Sequence, residues 1–164
     1  MNGDMATLSD LSLTYRLFMR TYRYRRVDWT PGAVLSRPLS EARLAAITTA
    51  GLYLPTQEAF DDSIRGGDSS YRIIPGHAAV ETLRIGHRSD AFDPSGIEAD
   101  RNLALPLDRL RELAGGGVIR AVAPRHVSLM GSITAPGRLI SVTGPDIAAV
   151  LRSDGVDAVL LTPV

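Results

Sequence analysis

The chain has 164 residues, and its 18 basic and 18 acidic side chains give a formal net charge of zero. This length is sufficient for one domain with a hydrophobic core, and the balanced charge argues against a dedicated nucleic-acid or membrane-surface binding protein. The sequence contains no cysteine, which excludes disulfides, thiolate metal sites and thiol catalysis within these residues. No apolar run is long enough to span a membrane and no signal peptide is visible, so we expect a cytoplasmic α/β protein.

An amphipathic helix is predicted over residues 10–26, with Ser9 or Asp10 as its N-cap. Its aromatic and arginine residues fall on different faces. Such a helix could bind RNA or phosphate. The neutral net charge favours the alternative, a helix with a packed aromatic face and a solvated arginine face. Turn-forming residues then predict an irregular connection, so residues 1–40 are expected to form an N-terminal segment before an α/β domain at 41–164.

The first half of the α/β domain carries short apolar runs bounded by turn formers. These runs predict strands at residues 43–48, 71–75 and 81–86. Pro75 ends the second of them, which favours an edge position in the sheet. Thr49 and Gly51 lie in the loop that follows the first predicted strand, and residues 90–104 are predicted to be mostly loop.

The second half alternates between helical and strand patterns. A helix is predicted from Pro106, with Leu107, Leu110 and Leu113 facing inward, and the glycines at 115–117 end it. The remaining elements are a strand at 118–123, a loop at 124–132, a helix at 144–154 and a strand at 158–161. This order predicts a three-layer α/β fold with a mostly parallel sheet between helices, incomplete at its C-terminal edge.

A polar loop is predicted where the ligand of an open parallel sheet usually binds, beyond the carboxyl ends of the strands. This loop contains the imidazole of His126, the hydroxyl of Ser128 and the backbone freedom of Gly131. These groups could bind an anion or a carboxylate. Thr49 and Gly51, at the carboxyl end of the first predicted strand, are further candidate substrate-binding residues. From the residues alone, the favoured alternative is that the histidine and the serine only satisfy local backbone groups.

A second polar cluster contains His87, Asp100 and Asn102. A histidine paired with an aspartate can perform acid–base chemistry, although capping of loops by aspartate and asparagine is more common. The histidines are too scattered to predict a metal site, and the sequence has no nucleophile elbow of a serine hydrolase. Both clusters are therefore kept as candidate substrate-binding sites.

Several segments resemble the selenoprotein B family of glycine, betaine, sarcosine and D-proline reductases. They are GHRSDAFD (86–93), DRN (100–102), PLDRL (106–110), HVSLMG (126–131), TGPDIA (143–148) and GVDAVLLTPV (155–164). The resemblance extends from about Leu44 to the end of the sequence. The order and spacing of these segments are specific for the family but not for one substrate.

The resemblance implies a reductive cleavage enzyme. In this family a selenol or thiol attacks the substrate or its enzyme-bound adduct, and a dithiol supplies the electrons. The redox pair, a selenocysteine or cysteine with a nearby cysteine, directly follows the strand that here ends in LLTPV. Such a group is well placed at the end of a parallel strand, near helix N-termini that favour its anion.

Since Val164 is the position before that pair, we expect the sequence to be the first part of a longer selenoprotein whose UGA codon was taken as a stop. The expected partners are a small amino acid or amine substrate, other reductase subunits or a second copy of the chain. No catalytic residue, cofactor or metal is expected within the 164 residues. The alternatives are a non-catalytic binding subunit that assembles with a catalytic partner and, on fold analogy alone, a fragment of a racemase-like enzyme.

Overall fold

The computed structural model describes residues 12–21, 32–86 and 93–164. The chain divides into two compact units, Met1–Val34 and Leu35–Val164. In the first unit, helix α1 (Leu13–Thr21) confirms the centre of the predicted N-terminal helix. The proposed caps Ser9 and Asp10 lie outside the described residues. Tyr15 and Phe18 are both more than half exposed.

The second unit contains seven strands in its described part. They are β1 (Arg43–Thr48), β2 (Leu52–Tyr53), β3 (Tyr71–Pro75), β4 (Arg84–Ile85), β5 (Ala121–Val122), β6 (Arg125–Leu129) and β7 (Ala158–Thr162). The helices of this unit are α2 (Ser95–Ala99), α3 (Leu107–Gly115) and α4 (Gly144–Ser153). Single 3₁₀ turns cover Leu39–Glu41, Val80–Thr82 and Arg101–Leu103, and a π-helical turn covers Leu139–Thr143. No helix in the described ranges is long and apolar enough to cross a membrane.

Strand β1 is the centre of a mixed, mostly parallel sheet. On one edge it pairs with the whole length of β7, from Leu44 opposite Ala158 to Thr48 opposite Thr162. On its other edge it pairs with β5 at its start and with β6 at its end, both in parallel. Strand β3 lies antiparallel to β6, and β2 and β4 form a separate antiparallel pair. The predicted α/β class is thereby confirmed.

Two apolar clusters cover opposite faces of this sheet, because successive side chains of a strand point to opposite sides. One cluster contains Ala46 of β1 together with Leu107 and Leu110 of α3. The other contains Ala45 of β1 together with Ile147 and Leu151 of α4. The helices therefore form the two outer layers. The prediction for Leu113 is wrong: its side chain is 40% exposed, because it lies on the outer side of α3.

Helix α4 has clear start and stop signals. Pro145 occupies its first turn, where a missing N–H is tolerated, and Asp146 follows where the helix dipole favours an anion. The helix ends before Gly155, which has a positive φ of 65°. The preceding π-helical turn runs directly into α4, and the Gly144 N–H donates to the carbonyl oxygen of Leu139.

The prediction of a loop at residues 124–132 is wrong for most of this segment. Residues 125–129 form strand β6, and the predicted strand at 118–123 is reduced to the two residues of β5. Pro124 and the polar residues that follow it hide the strand in the sequence, because neither gives an apolar alternation. In the structure the strand is interrupted at Ala123 and Pro124 and then continues along the same edge of β1.

Candidate functional site

The interruption between β5 and β6 shapes the centre of the sheet. The Ala123 N–H still donates to the Leu44 carbonyl of β1, at 2.8 Å. The Pro124 carbonyl, however, accepts from the N–H of Gly76, just after β3, at 2.7 Å. A β-carbon on Gly76 would lie 2.3 Å from the Ala123 carbonyl oxygen, so the close approach of the two segments requires glycine.

His126 completes the β1 ladder at this interruption. Its Nδ1 accepts a hydrogen bond from the backbone N–H of Ala46, at 2.9 Å. The side chain is completely buried. Burial lowers the pKa of His126 to about 4; the positive charge of Arg111 acts in the same direction, and the backbone of Ala123 acts against them. The imidazole is therefore neutral near pH 7, and a neutral ring that accepts at Nδ1 carries its proton on Nε2.

Ser128 lies two residues farther along β6, on the same face as His126, and its Cα pairs in register with Thr48 of β1. Both Ser128 and Thr48 are completely buried. The Thr48 hydroxyl accepts from the N–H of Ala50, at 3.2 Å. Within the described part of the chain, Ser128 Oγ and His126 Nε2 make no hydrogen bond of normal geometry, although the Ala123 backbone lies close enough to the ring to raise its pKa. Since buried polar atoms are normally bonded, Ser128 on this face of β6 is a donor with unused capacity.

The carboxyl ends of β1, β6 and β7 meet at one edge of the sheet. The Thr49 hydroxyl accepts from the N–H of Val164, at 2.9 Å, which joins the ends of β1 and β7. Gly51 has a positive φ of 64°, and its N–H donates to the Leu129 carbonyl at 2.8 Å. Gly131 is buried directly after Met130, which bridges to Ala50. Thr49, Gly51 and Gly131 thus lie together at this edge, and Ser128 and His126 follow inward along β6.

Asp100 and Asn102 have a capping role in the structure. The Asp100 carboxylate accepts from the backbone N–H of Asn102 at 2.9 Å, and this bond lowers the pKa of Asp100. The side-chain Oδ1 of Asn102 accepts from the backbone N–H of Asp108 at 3.1 Å, and its side-chain Nδ2 donates to the Asp108 carboxylate at 2.9 Å. Both residues line a cavity of about 250 Å³ that contains none of the sheet-edge residues. His87, the third member of this predicted cluster, lies outside the described residues.

The sequence interpretation missed two threonines at the sheet edge. Thr48 is buried beside Ser128, and the Thr162 hydroxyl donates to the Ala104 carbonyl at 2.6 Å, which ties β7 to the turn before α3. Each threonine ends a strand directly after a run of apolar residues, which is the pattern that could have indicated them. Within residues 12–21, 32–86 and 93–164, no three histidine or acidic side chains are grouped in a way that could hold a metal ion.

An apolar groove of about 560 Å³ lies between α4 and β7, on the opposite face of the sheet from His126. Its lining includes Ile47, Ile147, Leu151, Val159 and Leu161. The charged residues of its lining are Arg152 and Asp157. The Asp157 carboxylate already accepts from the Arg43 N–H and pairs with Arg37, so a small zwitterionic ligand would find few free polar groups there to orient it. The polar carboxyl edge is therefore the better candidate for a substrate site.

The family described as glycine/sarcosine/betaine reductase selenoprotein B matches residues 13–164. This chain belongs to that family. D-proline reductase subunit gamma of Acetoanaerobium sticklandii is 36% identical over 134 residues, which are 82% of this chain and 52% of the relative. Betaine reductase complex component B subunit beta of Peptoclostridium acidaminophilum is 29% identical over 129 residues, which are 77% of this chain and 29% of the relative.

Glycine reductase complex component B subunit gamma of Carboxydothermus hydrogenoformans is a third relative, 29% identical over 138 residues, which are 82% of this chain and 31% of the relative. No solved structure matches the chain significantly. The chain spans about half the length of the D-proline reductase subunit and about a third of the other two relatives. The resemblance to the selenoprotein B family is thereby confirmed, and all the strands and helices described above fall inside the matched region.

Proposed function

We propose that this selenoprotein B family member takes part in the reductive cleavage of a small amino acid or amine, with a dithiol as electron donor. The family match over residues 13–164 carries the proposal. Its relatives are named as subunits of D-proline, betaine and glycine reductases, which supports this substrate class. The proposed partners are other subunits of such a complex, and the proposed location is the cytoplasm.

In this proposal the substrate lies at the carboxyl edge of the sheet. Thr49 and the backbone around Gly131 border this edge, and Ser128 and His126 form its buried floor. The unbonded Ser128 hydroxyl suits the carboxylate that glycine, betaine, sarcosine and D-proline share, and His126 lies behind it on the same face of β6. Asp100, Asn102 and His87 remain candidate substrate-binding residues of the second cluster.

The reduction needs two electrons, which a dithiol supplies when it is oxidised to a disulfide. A selenol or thiol attacks a carbon of the substrate or its adduct and forms a bond to it, while the carbon–nitrogen bond breaks and the nitrogen takes up a proton. One thiol of the dithiol then takes the selenium or sulfur from that carbon, which takes up a proton, and the second thiol closes the disulfide and releases the selenol or thiol. The 164 residues contain no cysteine, so the redox group in this proposal comes from outside them. A selenocysteine or cysteine pair in the complete protein or its complex would serve.

The proposal is tested on the reductase complex purified from its natural source or from the full gene. Glycine, betaine, sarcosine and D-proline are each supplied with dithiothreitol, and substrate loss is measured by mass spectrometry. We expect loss of one of the four that depends on the dithiol. We expect Ser128→Ala to raise KM by about three- to tenfold, the value of one hydrogen bond, while Ser40→Ala on the exposed surface has no effect. The proposal is wrong if none of the four is consumed.

The absence of cysteine in the 164 residues also supports a second function, that of a non-catalytic subunit that binds the substrate for a catalytic partner. Isothermal titration of the isolated chain with the same four compounds distinguishes the two functions. Binding by the isolated chain, with turnover only after a separate catalytic subunit is added, would favour the second. Turnover by the product of the single full gene would favour the first.

A further inference from the structure

We propose that His126 is a positioning residue: it replaces a backbone acceptor in the β1 ladder and thereby holds the end of β6 against the end of β1. This inference rests on the proposed function only where it concerns turnover. The alternative is that the imidazole contacts the substrate directly. The two roles require different atoms of the ring, which makes them separable by experiment.

The first observation is the missing acceptor. Along this edge of β1, the Leu44 carbonyl is bonded by the Ala123 N–H at 2.8 Å. The next backbone group on the same edge is the N–H of Ala46, whose regular partner in a parallel ladder would be the Ala123 carbonyl oxygen. That oxygen lies instead against Gly76, where a β-carbon would be 2.3 Å from it. An unbonded N–H of a completely buried residue would be costly. His126 Nδ1 accepts from that N–H at 2.9 Å and removes the cost.

The second observation is that only a neutral ring can fill this place. Nδ1 faces an N–H donor, and a protonated Nδ1 would be a second donor facing it. The ring is completely buried beneath Ala46, Ile74 and their apolar neighbours, and Arg111 is the charged residue that acts on it among the described residues. Within the described ranges, no carboxylate raises the pKa of the ring to stabilise an imidazolium.

The consequence concerns the geometry of the sheet edge. His126 is followed by the pairs in which Val127 lies opposite Ile47 and Ser128 opposite Thr48. After one more residue, the Gly51 N–H donates to Leu129. The His126–Ala46 hydrogen bond is thus the link that restores pairing after the interruption. Its loss would loosen the register that brings Ser128 and Gly131 to Thr49 and Gly51.

The wild-type chain provides a direct test by nuclear magnetic resonance. We expect a scalar coupling across the hydrogen bond between the Ala46 amide nitrogen and His126 Nδ1, with the ring proton on Nε2. A ring that carries its proton on Nδ1 would overturn the inference. This measurement requires no substitution and no activity, so it stands even if a variant does not fold.

The variants His126→Asn and His126→Leu separate the two roles in the full gene product and its complex. The asparagine Oδ1 occupies nearly the place of Nδ1, whereas leucine has a similar bulk and no acceptor. We expect hydrogen exchange at the Ala46 amide to accelerate about tenfold in His126→Leu and little in His126→Asn. The reference is the Thr49 amide, which bonds Thr162 on the other edge of β1. His77→Asn, on an exposed turn, is the matched control.

Turnover gives the second readout. A positioning role predicts that kcat falls at least tenfold in His126→Leu and is largely restored in His126→Asn. Equal losses of activity in both variants, with Ala46 still protected in His126→Asn, would show direct substrate contact through Nε2 and overturn the inference. If the proposed function is wrong, no form turns over, yet the order of Ala46 exchange still supports the structural link. Unchanged exchange in all variants would contradict it.

Discussion

Strands β6 and β7 both run parallel to β1, one on each of its edges. The polar strand β6 is buried, whereas the apolar strand β7 is partly exposed. In β6, His126 and Ser128 are completely buried. In β7, Val159 and Leu160 are 40% exposed and Leu161 is 66% exposed. The strand with the more polar sequence is therefore the more buried of the two.

The difference shows that position in the sheet, and not the hydrophobicity of the strand, sets burial in this protein. Strand β6 lies between β1 and β3, whereas β1 is the only described partner of β7. Buried His126 is tolerated in β6 because its Nδ1 accepts a hydrogen bond from the backbone N–H of Ala46. Parallel strands are usually covered on both faces, so the exposed apolar surface of β7 is the unusual feature.

The largest expected effect concerns the pH dependence of the buried strand. The pKa of His126 falls from 6.5 in the unfolded chain to about 4 in the folded chain. Below pH 6.5 the unfolded chain takes up a proton that the folded chain does not, so stability falls as the pH decreases towards 4. Over this window we expect the free energy of unfolding to drop by about 3 kcal/mol, as measured by urea denaturation.

His126→Asn is the control for this prediction, because it keeps an acceptor near Ala46 and cannot be protonated. Its stability should be nearly independent of pH in the upper part of the window between the two pKa values, from about 4 to 6.5, where the carboxyl groups stay ionised. Carboxyl groups with a lowered pKa, such as Asp68 and Asp154, lose their contribution at lower pH. An equal slope in the wild type and the variant would contradict the assignment to His126.

The second effect concerns the interruption that makes β6 different from β7. Gly76→Ala places a methyl group 2.3 Å from the Ala123 carbonyl oxygen, so the backbone must shift. We expect a loss of about 2 to 3 kcal/mol in the free energy of unfolding, measured by thermal or urea denaturation. Gly137→Ala meets no atom within 4 Å and should leave stability unchanged. Equal stability of the two variants would mean that the segments at Gly76 and Ala123 separate easily.

The third effect compares two valines on the same face of the sheet. Val127 of β6 pairs with Ile47, and Val159 of β7 pairs with Ala45. Val127 is completely buried, so Val127→Ala should lower the free energy of unfolding by about 2 kcal/mol. Val159→Ala should cost less than about 1 kcal/mol, because 40% of the residue is exposed. Equal losses would show that β7 is covered in solution.

The smallest effect on folding is expected for Leu161→Gln. The side chain is 66% exposed, so the free energy of unfolding should change by no more than about 0.5 kcal/mol. Light scattering should show less association at high concentration, since an apolar edge strand favours pairing with other chains. Leu103→Gln serves as the control, because Leu103 is equally exposed but lies in a 3₁₀ turn and not in β7. The same association in both variants would exclude the β7 edge as its cause.

Much of the fold could be predicted from local patterns. The strand Arg43–Thr48, the strand Tyr71–Pro75 and the helix that begins after Pro106 were found within a residue because apolar spacing and terminal signals agree there. Strand β6 was missed because tertiary position buries polar residues that no local pattern would assign to a core. Pro124 contributed to the missed strand, because a proline usually ends a strand and here it lies between β5 and β6 on the same edge of β1.

The sequence predicts which edge of the sheet carries the candidate site, but not the contacts within that site. The rule for parallel sheets brings Thr49 and Gly131 together without knowledge of any contact. The partner of His126 could not be predicted, since Ala46 is 80 residues away and contributes only its backbone N–H. A backbone partner leaves no mark in the sequence, so a histidine of this kind is easily taken for a ligand-binding residue.

The π-helical turn Leu139–Thr143 has an evolutionary consequence. A turn closed over five residues, as between Gly144 and Leu139, contains one residue more than an α-helical turn needs. A homologue could therefore lose one residue here and continue α4 as a regular helix, without changing the register of β7 on β1. We expect gains and losses of single residues among relatives to be tolerated at this turn, and alignments that force a gap inside β7 to be misplaced.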